Sequence, residues 1–201
     1  MSIYNSKHFS SSSASANFIF ATSQIPPLRF KHLLFTFTEP PILKMAPRIA
    51  YVGLGNMGAG MCKNLVAKGN LDSPLLIWNR TASKTEALVA RVPNCEVATS
   101  VVDAVTRADI IFSCLSDDKA VLQVFGEVLG LDLTGKTLIS CSTITPETTQ
   151  DVARRAKEKG AGFVSMPVFG EPGLAEKGLL VCVPTGPAED VKVVLPYTTG
   201  V

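Results

Sequence analysis

The feature that most constrains the fold is a glycine-rich turn between an apolar run and a helical stretch. In IAYVGLGNMGAGMCKNL, Gly53, Gly55 and Gly58 follow the apolar run at G-x-G-x-x-G spacing. In such a turn the first glycine permits a tight bend, the second lets the backbone approach a diphosphate, and the third lets the helix pack closely on the strand. The N–H groups and the dipole at the start of that helix favour negative charge. We therefore interpret the turn as a dinucleotide-binding site rather than a purely structural glycine turn.

Apolar runs alternate with longer mixed segments along the rest of the chain. Strands are predicted for seven segments: IAYVGL, PLLIWN, residues 96–98, DIIFSCL, TLISCST, GFVSMPV and LLVCVPT. Helices are predicted for residues 61–68, 83–91, 101–107, 120–129 and 147–159, with another beginning within 187–201. Runs rich in Val, Ile and Leu between helices indicate strands buried on both faces of a mostly parallel sheet. The predicted fold is α/β, with a Rossmann-type doubly wound sheet.

The end of the second predicted strand bears on the choice of cofactor. About 20 residues beyond the glycines, NAD-binding versions of this turn carry an Asp or Glu that bonds the ribose 2′-hydroxyl. This chain has Asn79, Arg80 and Thr81 there, and no acid. A guanidinium can grip a 2′-phosphate with a planar fork of donors, whereas a carboxylate would repel it. The sequence therefore favours NADP over NAD, with Thr81 and Lys84 supplying a hydroxyl and a second positive charge.

Two alternatives to this interpretation stay open at the level of the residues. Arg80 could be a solvated surface residue and Asn79 a turn former. An S-adenosylmethionine site can also use a glycine turn, but it generally needs an acid after the second strand. The missing acid counts against that second alternative.

Composition and charge exclude several classes of function. The 201 residues are 46% apolar and 18% charged, which is enough apolar material for a buried core. From residue 45 onward the chain holds 15 basic and 16 acidic residues, and this balance argues against a nucleic-acid partner. No apolar run approaches the roughly 18 or more residues of a membrane helix. The five cysteines form no C-x-x-C pair, which favours buried reduced thiols.

Histidine is confined to the first 44 residues, as His8 and His32. The rest of the chain therefore offers neither a His-ligated zinc site nor a histidine for proton transfer, and no metal site is expected. The same 44 residues contain no glycine, a single acid and a serine cluster, a composition typical of an organelle transit peptide. The alternative is that translation starts at Met45 and that residues 1–44 are a gene-model extension. We exclude them from the fold, and we expect a cytoplasmic protein, or a mitochondrial one if the segment is a genuine transit peptide.

Five motifs stand in order along the body of the chain: GLGNMGAGMCKNLVAKG, WNRTASK, CLSDDKAV, STITPET and MPVFGEPGLAEKGLL. Together they resemble the NAD(P)-binding domain of the β-hydroxyacid dehydrogenases. That family includes 3-hydroxyisobutyrate dehydrogenase, tartronate semialdehyde reductase, glyoxylate/succinic semialdehyde reductases and, more distantly, 6-phosphogluconate dehydrogenase. The resemblance covers about residues 47–201. It is specific for the superfamily and says little about the substrate.

The resemblance implies a role for a set of individual residues. The backbone of residues 49–63 would wrap the pyrophosphate, and other residues would surround the adenosine ribose or line the nicotinamide side. The implied cofactor contacts are Gly53, Leu54, Gly55, Asn56, Met57 and Gly58 for the pyrophosphate, Asn79, Arg80, Thr81 and Lys84 for the ribose and its phosphate, and Leu115, Ser116 and Thr143 for the nicotinamide side. Ser142 would face the carboxylate of the substrate, and Gly170 would give the substrate a backbone N–H.

The chain also departs from the family pattern. Ser140 replaces the acid that usually stands two residues before the Ser-Thr pair. The substrate loop, usually PVSGG, reads PVFGE here, so Phe169 removes a hydroxyl and Glu171 adds a negative charge near a carboxylate substrate. The alternative is that Phe169 packs locally and that this loop only closes the edge of the sheet.

The largest departure concerns the proton donor. In the family, the lysine that transfers the proton lies on a helix of an all-helical domain beyond the Rossmann domain. None of the lysines of this chain stands in the matching motif, so no catalytic residue is assigned. We expect an NADP-binding Rossmann domain over residues 45–186, with residues 187–201 beginning the connection to an all-helical domain that this chain lacks.

These expectations favour one function over another of a different class. The favoured function is the NADP-binding domain of an oxidoreductase that moves a hydride between NADP(H) and a small hydroxy acid or semialdehyde, and that is inactive alone. Its partner would be a small carboxylate or aldehyde substrate, and the intact enzyme would be a homo-oligomer. The alternative is a non-catalytic NADP-binding or protein-interaction module.

Overall fold

The computed structural model describes residues 46–198, which form two β-sheets with helices packed around the larger one. The strands are β1 Ile49–Val52, β2 Leu75–Trp78, β3 Cys95–Val97, β4 Ile110–Ser113, β5 Thr137–Ser140, β6 Gly162–Ser165, β7 Val168–Phe169 and β8 Val181–Cys182. The helices are α1 Asn56–Lys68, α2 Ala82–Val89, α3 Val101–Arg107, α4 Asp118–Val128, α5 Pro146–Glu158, α6 Pro172–Lys177 and α7 Ala188–Val194. Predictions that concern residues 1–44 fall outside the described range.

The larger sheet has six parallel strands in the order β3-β2-β1-β4-β5-β6. Helices cover both of its faces. On one face α3, α4 and α5 place Val105, Phe125 and Val152 in the core. On the other face α1 and α2 contribute Leu65 and Leu88. The predicted Rossmann-type doubly wound sheet is therefore confirmed, and α7 begins within the region where a further helix was expected.

Three helices begin at side chains that cap their first turn. Ser100 accepts a hydrogen bond from an N–H of α3, and Asp117 does the same for α4. Thr145 accepts the N–H of Thr148 at the start of α5. Each cap satisfies a backbone donor that the helix itself leaves free. The other four helices of the described chain have no side-chain cap, and for α1 this is because Gly55 precedes it and offers no side chain.

The prediction that LLVCVPT forms a strand of the buried parallel sheet was wrong. Only β8 forms in it, and β8 pairs antiparallel with β7 in a separate two-stranded sheet. Val181 is 62% exposed. A parallel return needs a crossover of about a dozen residues or more, and the short α6 does not carry the chain across a sheet. The predicted strand GFVSMPV likewise divides, into β6 and β7.

Helix α6 was not predicted, and it packs against α1. A side chain at Gly60 would collide with the backbone of Ala175 and Glu176, so this glycine permits the close approach of the two helices. The buried amide of Asn64 donates a 2.8 Å hydrogen bond to the carbonyl oxygen of Ala175. Across residues 46–198, no helix combines the length and the apolar character that crossing a membrane requires.

Candidate functional site

The glycine turn lies at the carboxyl ends of the parallel strands, beside the point where the strand order reverses. The chain leaves β1 to form β2 on one side of it, and β4 lies on the other side. Ligands of open α/β sheets bind in the crevice at such a switch point. Helix α1 starts here without a side-chain cap, so the N–H groups of its first turn can point at a ligand.

The three glycines of the turn differ in whether neighbouring atoms leave room for a side chain. Gly53 has φ +98°, and a side chain there would collide with the carbonyl oxygen of Cys114. A side chain at Gly58 would collide with the carbonyl oxygen of Gly53. The residue between them, Gly55, has φ −73° and ψ −172°, which any residue can adopt. A Cβ at Gly55 would meet nothing within 4 Å. The fold itself therefore requires Gly53 and Gly58, whereas no contact within residues 46–198 requires a glycine at position 55.

Asn79 holds the turn against the end of β2. Its side-chain oxygen accepts a 2.9 Å hydrogen bond from the N–H of Leu54, and its amide donates to the carbonyl oxygen of Thr81 at 3.1 Å. The N–H of Gly53 donates to the carbonyl oxygen of Trp78 at 3.0 Å. The structure thus gives Asn79 a positioning role in the protein, besides the ribose contact that the resemblance implies.

A cavity of about 260 Å³ opens beside the turn. It brings together most of the predicted adenosine and nicotinamide residues from three separate parts of the chain. Its lining comprises Gly53, Gly55, Trp78, Asn79, Arg80, Thr81, Lys84, Cys114, Leu115, Ser116, Ala120, Gln123, Val124 and Glu127. Leu54 and Asn56 line an adjacent open groove, while Met57 and Gly58 line neither space. Eight of the thirteen predicted cofactor contacts therefore line one cavity, with the cations Arg80 and Lys84 on one wall.

Helix α4 forms a second wall that sequence reasoning missed. Gln123 and Glu127 are one helical turn apart and face the cavity. Nη1 of Arg80 donates a long hydrogen bond, 3.5 Å, to the side-chain oxygen of Gln123. The spacing of Val121, Phe125 and Val128, which are buried, places the remaining residues of α4 outside the core. That spacing was visible in the sequence, but which of the outer residues meet the cavity depends on how the sheet orients the helix.

The two predicted substrate residues, Ser142 and Gly170, and the predicted nicotinamide contact Thr143 do not line this cavity. Ser142 is buried, and its hydroxyl accepts a 2.8 Å hydrogen bond from the N–H of Leu115, which ties together the loops after β4 and β5. Thr143 is exposed beside it. Gly170 is exposed with φ +143°, and a side chain there would press on Leu180. None of the three lines the 260 Å³ cavity.

A second tie joins the same two loops. The carboxylate of Asp118 accepts hydrogen bonds from the hydroxyl of Thr145 at 2.6 Å and from its N–H at 3.0 Å. These bonds, with a further one from Thr148, lower the pKa of Asp118 to about 2. The carboxylate is therefore ionised at neutral pH and holds the start of α4 to the start of α5.

The thiols and the buried phenol near the site are not ionised at neutral pH. Burial raises the pKa of Cys114 to about 11. Burial also raises the pKa of Tyr51, whose hydroxyl donates to the sulfur of Met61 at 3.2 Å. No cluster of three His, Cys, Asp or Glu side chains within residues 46–198 could hold a metal ion.

Comparison with known proteins agrees with this geometry. A sequence profile described as the NAD binding domain of 6-phosphogluconate dehydrogenase matches residues 48–199. The NADH-dependent oxidoreductase ucdB of Aspergillus ustus is 43% identical over 145 residues, which are 72% of this chain and 51% of that protein. The chain therefore spans about half the length of this relative.

Two solved structures are similar as well. The 3-hydroxyisobutyrate dehydrogenase of Mycobacterium tuberculosis, solved with L-serine, has a TM-score of 0.70 and 26% identity, over 77% of this chain and 51% of that one. The reductive aminase of Aspergillus terreus, in complex with NADPH and ethyl-5-oxohexanoate, has a TM-score of 0.63 and 25% identity, over 76% of this chain and 52% of that one.

The glycine turn at the switch point, the cavity beside it and the profile match all point the same way. They confirm the family that the five motifs indicated. The chain belongs to the family of the 6-phosphogluconate dehydrogenase NAD-binding domain, within the β-hydroxyacid dehydrogenase superfamily of oxidoreductases.

Proposed function

We propose that this chain binds NADP in preference to NAD and serves hydride transfer between NADP(H) and a small hydroxy acid or semialdehyde. The observation that carries the proposal is the open face of Gly55, where a side chain would meet no protein atom within 4 Å. A diphosphate can lie there against the uncapped N–H groups of α1. The cavity that continues from this face is lined by Asn79, Arg80 and Thr81, whose polar groups can bond an adenosine ribose.

The preference for the phosphorylated cofactor rests on the cations of the cavity. Arg80, Thr81 and Lys84 line one wall, and no carboxylate follows β2. A guanidinium binds a phosphate with two parallel hydrogen bonds, and a lysine adds a point charge. Two similar proteins differ in the cofactor that their names give: the oxidoreductase ucdB is NADH-dependent, and the reductive aminase was solved with NADPH. The preference of this chain must therefore follow from its own residues.

Charge reversal at Arg80 tests the preference. In Arg80→Asp the fork of donors is lost and a repelling charge takes its place, so we expect NADP affinity to fall by about 30- to 100-fold. NAD affinity should change by less than about threefold, since NAD has no 2′-phosphate. Calorimetric titration of both cofactors measures the two values. Arg154→Asp is the matched control, because Arg154 is exposed on α5 and lines neither the cavity nor the adjacent groove. An unchanged ratio of the two affinities in Arg80→Asp would overturn the proposed preference.

The bound cofactor would supply the hydride, and the chain would place the substrate beside it. Leu115 and Ser116 border the cavity at the end of β4 and would hold the nicotinamide side. The hydrogen bond from Leu115 to Ser142 leaves the O–H of Ser142 free to donate to a substrate carboxylate. The N–H of the exposed Gly170 would add a second donor. These residues orient a small acidic substrate and do not themselves move a proton.

We also propose that the 201-residue chain, tested alone, turns over little. Reduction of a carbonyl needs a proton donor at the oxygen, and the chain has no histidine after residue 44 and no lysine in the matching motif. The thiol of Cys114 has its pKa raised to about 11 by burial, so it is a poor acid. The loss of NADPH absorbance with succinic semialdehyde or glyoxylate measures turnover. Sustained oxidation that depends on the aldehyde would contradict this second proposal and leave cofactor binding intact.

A further inference from the structure

Charges of both signs face the cavity beside the glycine turn, with Arg80 and Lys84 as the cations and Glu127 as the anion. Arg80 lies on the wall that follows β2, and Glu127 lies on the wall formed by α4. Neither carboxylate oxygen of Glu127 is within ion-pair distance of a cation among residues 46–198, and its side chain is exposed. The positive wall fits a 2′-phosphate, but the negative wall does not.

The orientation of α4 leaves Glu127 in this place. The helix starts at Asp117, whose side chain caps the N–H of Ala120 at 2.8 Å. Val121 and Phe125 are buried against the sheet and set the rotation of the helix. Gln123 lies one turn before Glu127 on the same face. Because Arg80 reaches the side-chain oxygen of Gln123 at 3.5 Å, the guanidinium extends across the cavity towards the wall that carries the acid.

We propose that Glu127 is a specificity-determining residue that opposes the 2′-phosphate of NADP and so narrows the preference of the site for NADP over NAD. The inference rests on the proposed function, since it concerns the same cavity. A 2′-phosphate carries between one and two negative charges at neutral pH. The carboxylate repels it and also offsets part of the attraction of Arg80. NAD has a hydroxyl in that place, which a carboxylate tolerates or bonds.

The size of the effect follows from where the charge lies. Glu127 is exposed to solvent, so its repulsion acts through a high dielectric and is screened by salt. We therefore expect a modest contribution, about 3- to 10-fold in NADP affinity at low ionic strength. Arg80 remains the dominant group for the phosphate, because its donors contact the ligand directly.

The test is calorimetric titration of NADP and NAD with the full chain and with two isosteric variants. Glu127→Gln removes the charge and keeps the size of the side chain. Glu86→Gln, on α2 and outside the cavity, removes the same charge elsewhere and serves as the matched control. We expect Glu127→Gln to tighten NADP by about 3- to 10-fold and to leave NAD within about twofold, with the gain shrinking at high salt. Glu86→Gln should leave the ratio unchanged.

The possible outcomes distinguish the role of Glu127 from the proposed binding of a dinucleotide. If the unmodified chain binds a dinucleotide, but Glu127→Gln leaves the ratio of NADP to NAD affinity within twofold of it, the role of Glu127 is overturned and the cofactor site stands. An equal shift in Glu86→Gln would likewise overturn it, since the effect would then be one of net charge. If the unmodified chain binds neither cofactor, the proposed function itself fails. Urea unfolding of both variants shows whether either substitution changes the fold.

Discussion

The glycine turn and the β7–β8 hairpin differ in how closely the rest of the protein packs against them. At the turn, the N–H groups of Gly53 and Leu54 are bonded to the end of β2, and two of the three glycines are required by close packing. At the hairpin, Phe169, Leu179 and Val181 are each 60% exposed or more. An apolar run therefore indicates a buried strand only where neighbouring elements cover both of its faces.

The largest expected effect is at Gly53, where the turn meets the end of β4. Gly53→Ala combines a positive φ with a collision at the carbonyl oxygen of Cys114. We expect the free energy of unfolding to fall by about 3 to 5 kcal/mol, since both a strained backbone and an overpacked contact are involved. Urea denaturation followed by circular dichroism measures it.

Gly126 provides the matched control for Gly53. It lies within α4, and a Cβ there would meet nothing within 4 Å. Gly126→Ala should raise the free energy of unfolding by about 0.5 to 1 kcal/mol, because alanine favours the helix. A loss of stability in Gly126→Ala as large as that in Gly53→Ala would show that the turn is no more constrained than the helix surface.

An intermediate, pH-dependent effect is expected at Asp118, which ties α4 to α5. Its pKa is lowered to about 2 by hydrogen bonds from Thr145 and Thr148. The folded pKa lies below the ordinary value, so the stabilisation is present above about pH 4 and is lost as the pH falls through about 2. Asp118→Asn should therefore be less stable than the unmodified chain at neutral pH, and the difference should shrink as the pH falls from 5 towards 2.

The measurement for Asp118 is the midpoint of urea unfolding across that pH range. Asp72→Asn is the control, because Asp72 lies in the loop before β2 and makes no side-chain hydrogen bond in the described chain. A difference between Asp118→Asn and the unmodified chain that stays constant from pH 5 to pH 2 would show that the carboxylate does not stabilise the two loops.

The smallest effect is expected at the hairpin. Phe169 is 62% exposed, so Phe169→Ser should change the free energy of unfolding by no more than about 0.5 kcal/mol. Phe112 in β4 is only 2% exposed, and Phe112→Ala should cost about 3 to 5 kcal/mol. Thermal and urea unfolding of the two variants give the comparison. Equal losses would mean that the hairpin carries as much buried packing as the sheet.

Local patterns were sufficient to predict the six strands of the larger sheet, although they added a seventh that lies outside it, and helix α3 matches its prediction at both ends. The glycine turn was also predicted, because a single short segment contains the strand, the turn and the start of α1. Helix α1 begins five residues earlier than predicted, at Asn56, because Gly58 and Gly60 within it weaken the helical pattern.

The parts of the site that depend on distant residues could not be predicted. The bond from Leu54 to Asn79 joins residues 25 apart, and the tie from Asp118 to Thr145 joins residues 27 apart. Glu127 meets the cavity only because the sheet orients α4. The reversal of β8 into a hairpin likewise depends on a connection too short for a parallel crossover.

The central claim is that a dinucleotide diphosphate lies against Gly55, and calorimetric titration of NADP into the unmodified chain and into Gly55→Asn tests it most directly. Asparagine is a good residue before a helix, so the variant should keep the stability of the unmodified chain within about 1 kcal/mol. Its side chain would fill the open face and bond the free N–H groups. The account predicts saturable NADP binding to the unmodified chain and none to Gly55→Asn. Equal binding by the two proteins, or no binding of NADP or NAD by the unmodified chain, would contradict it.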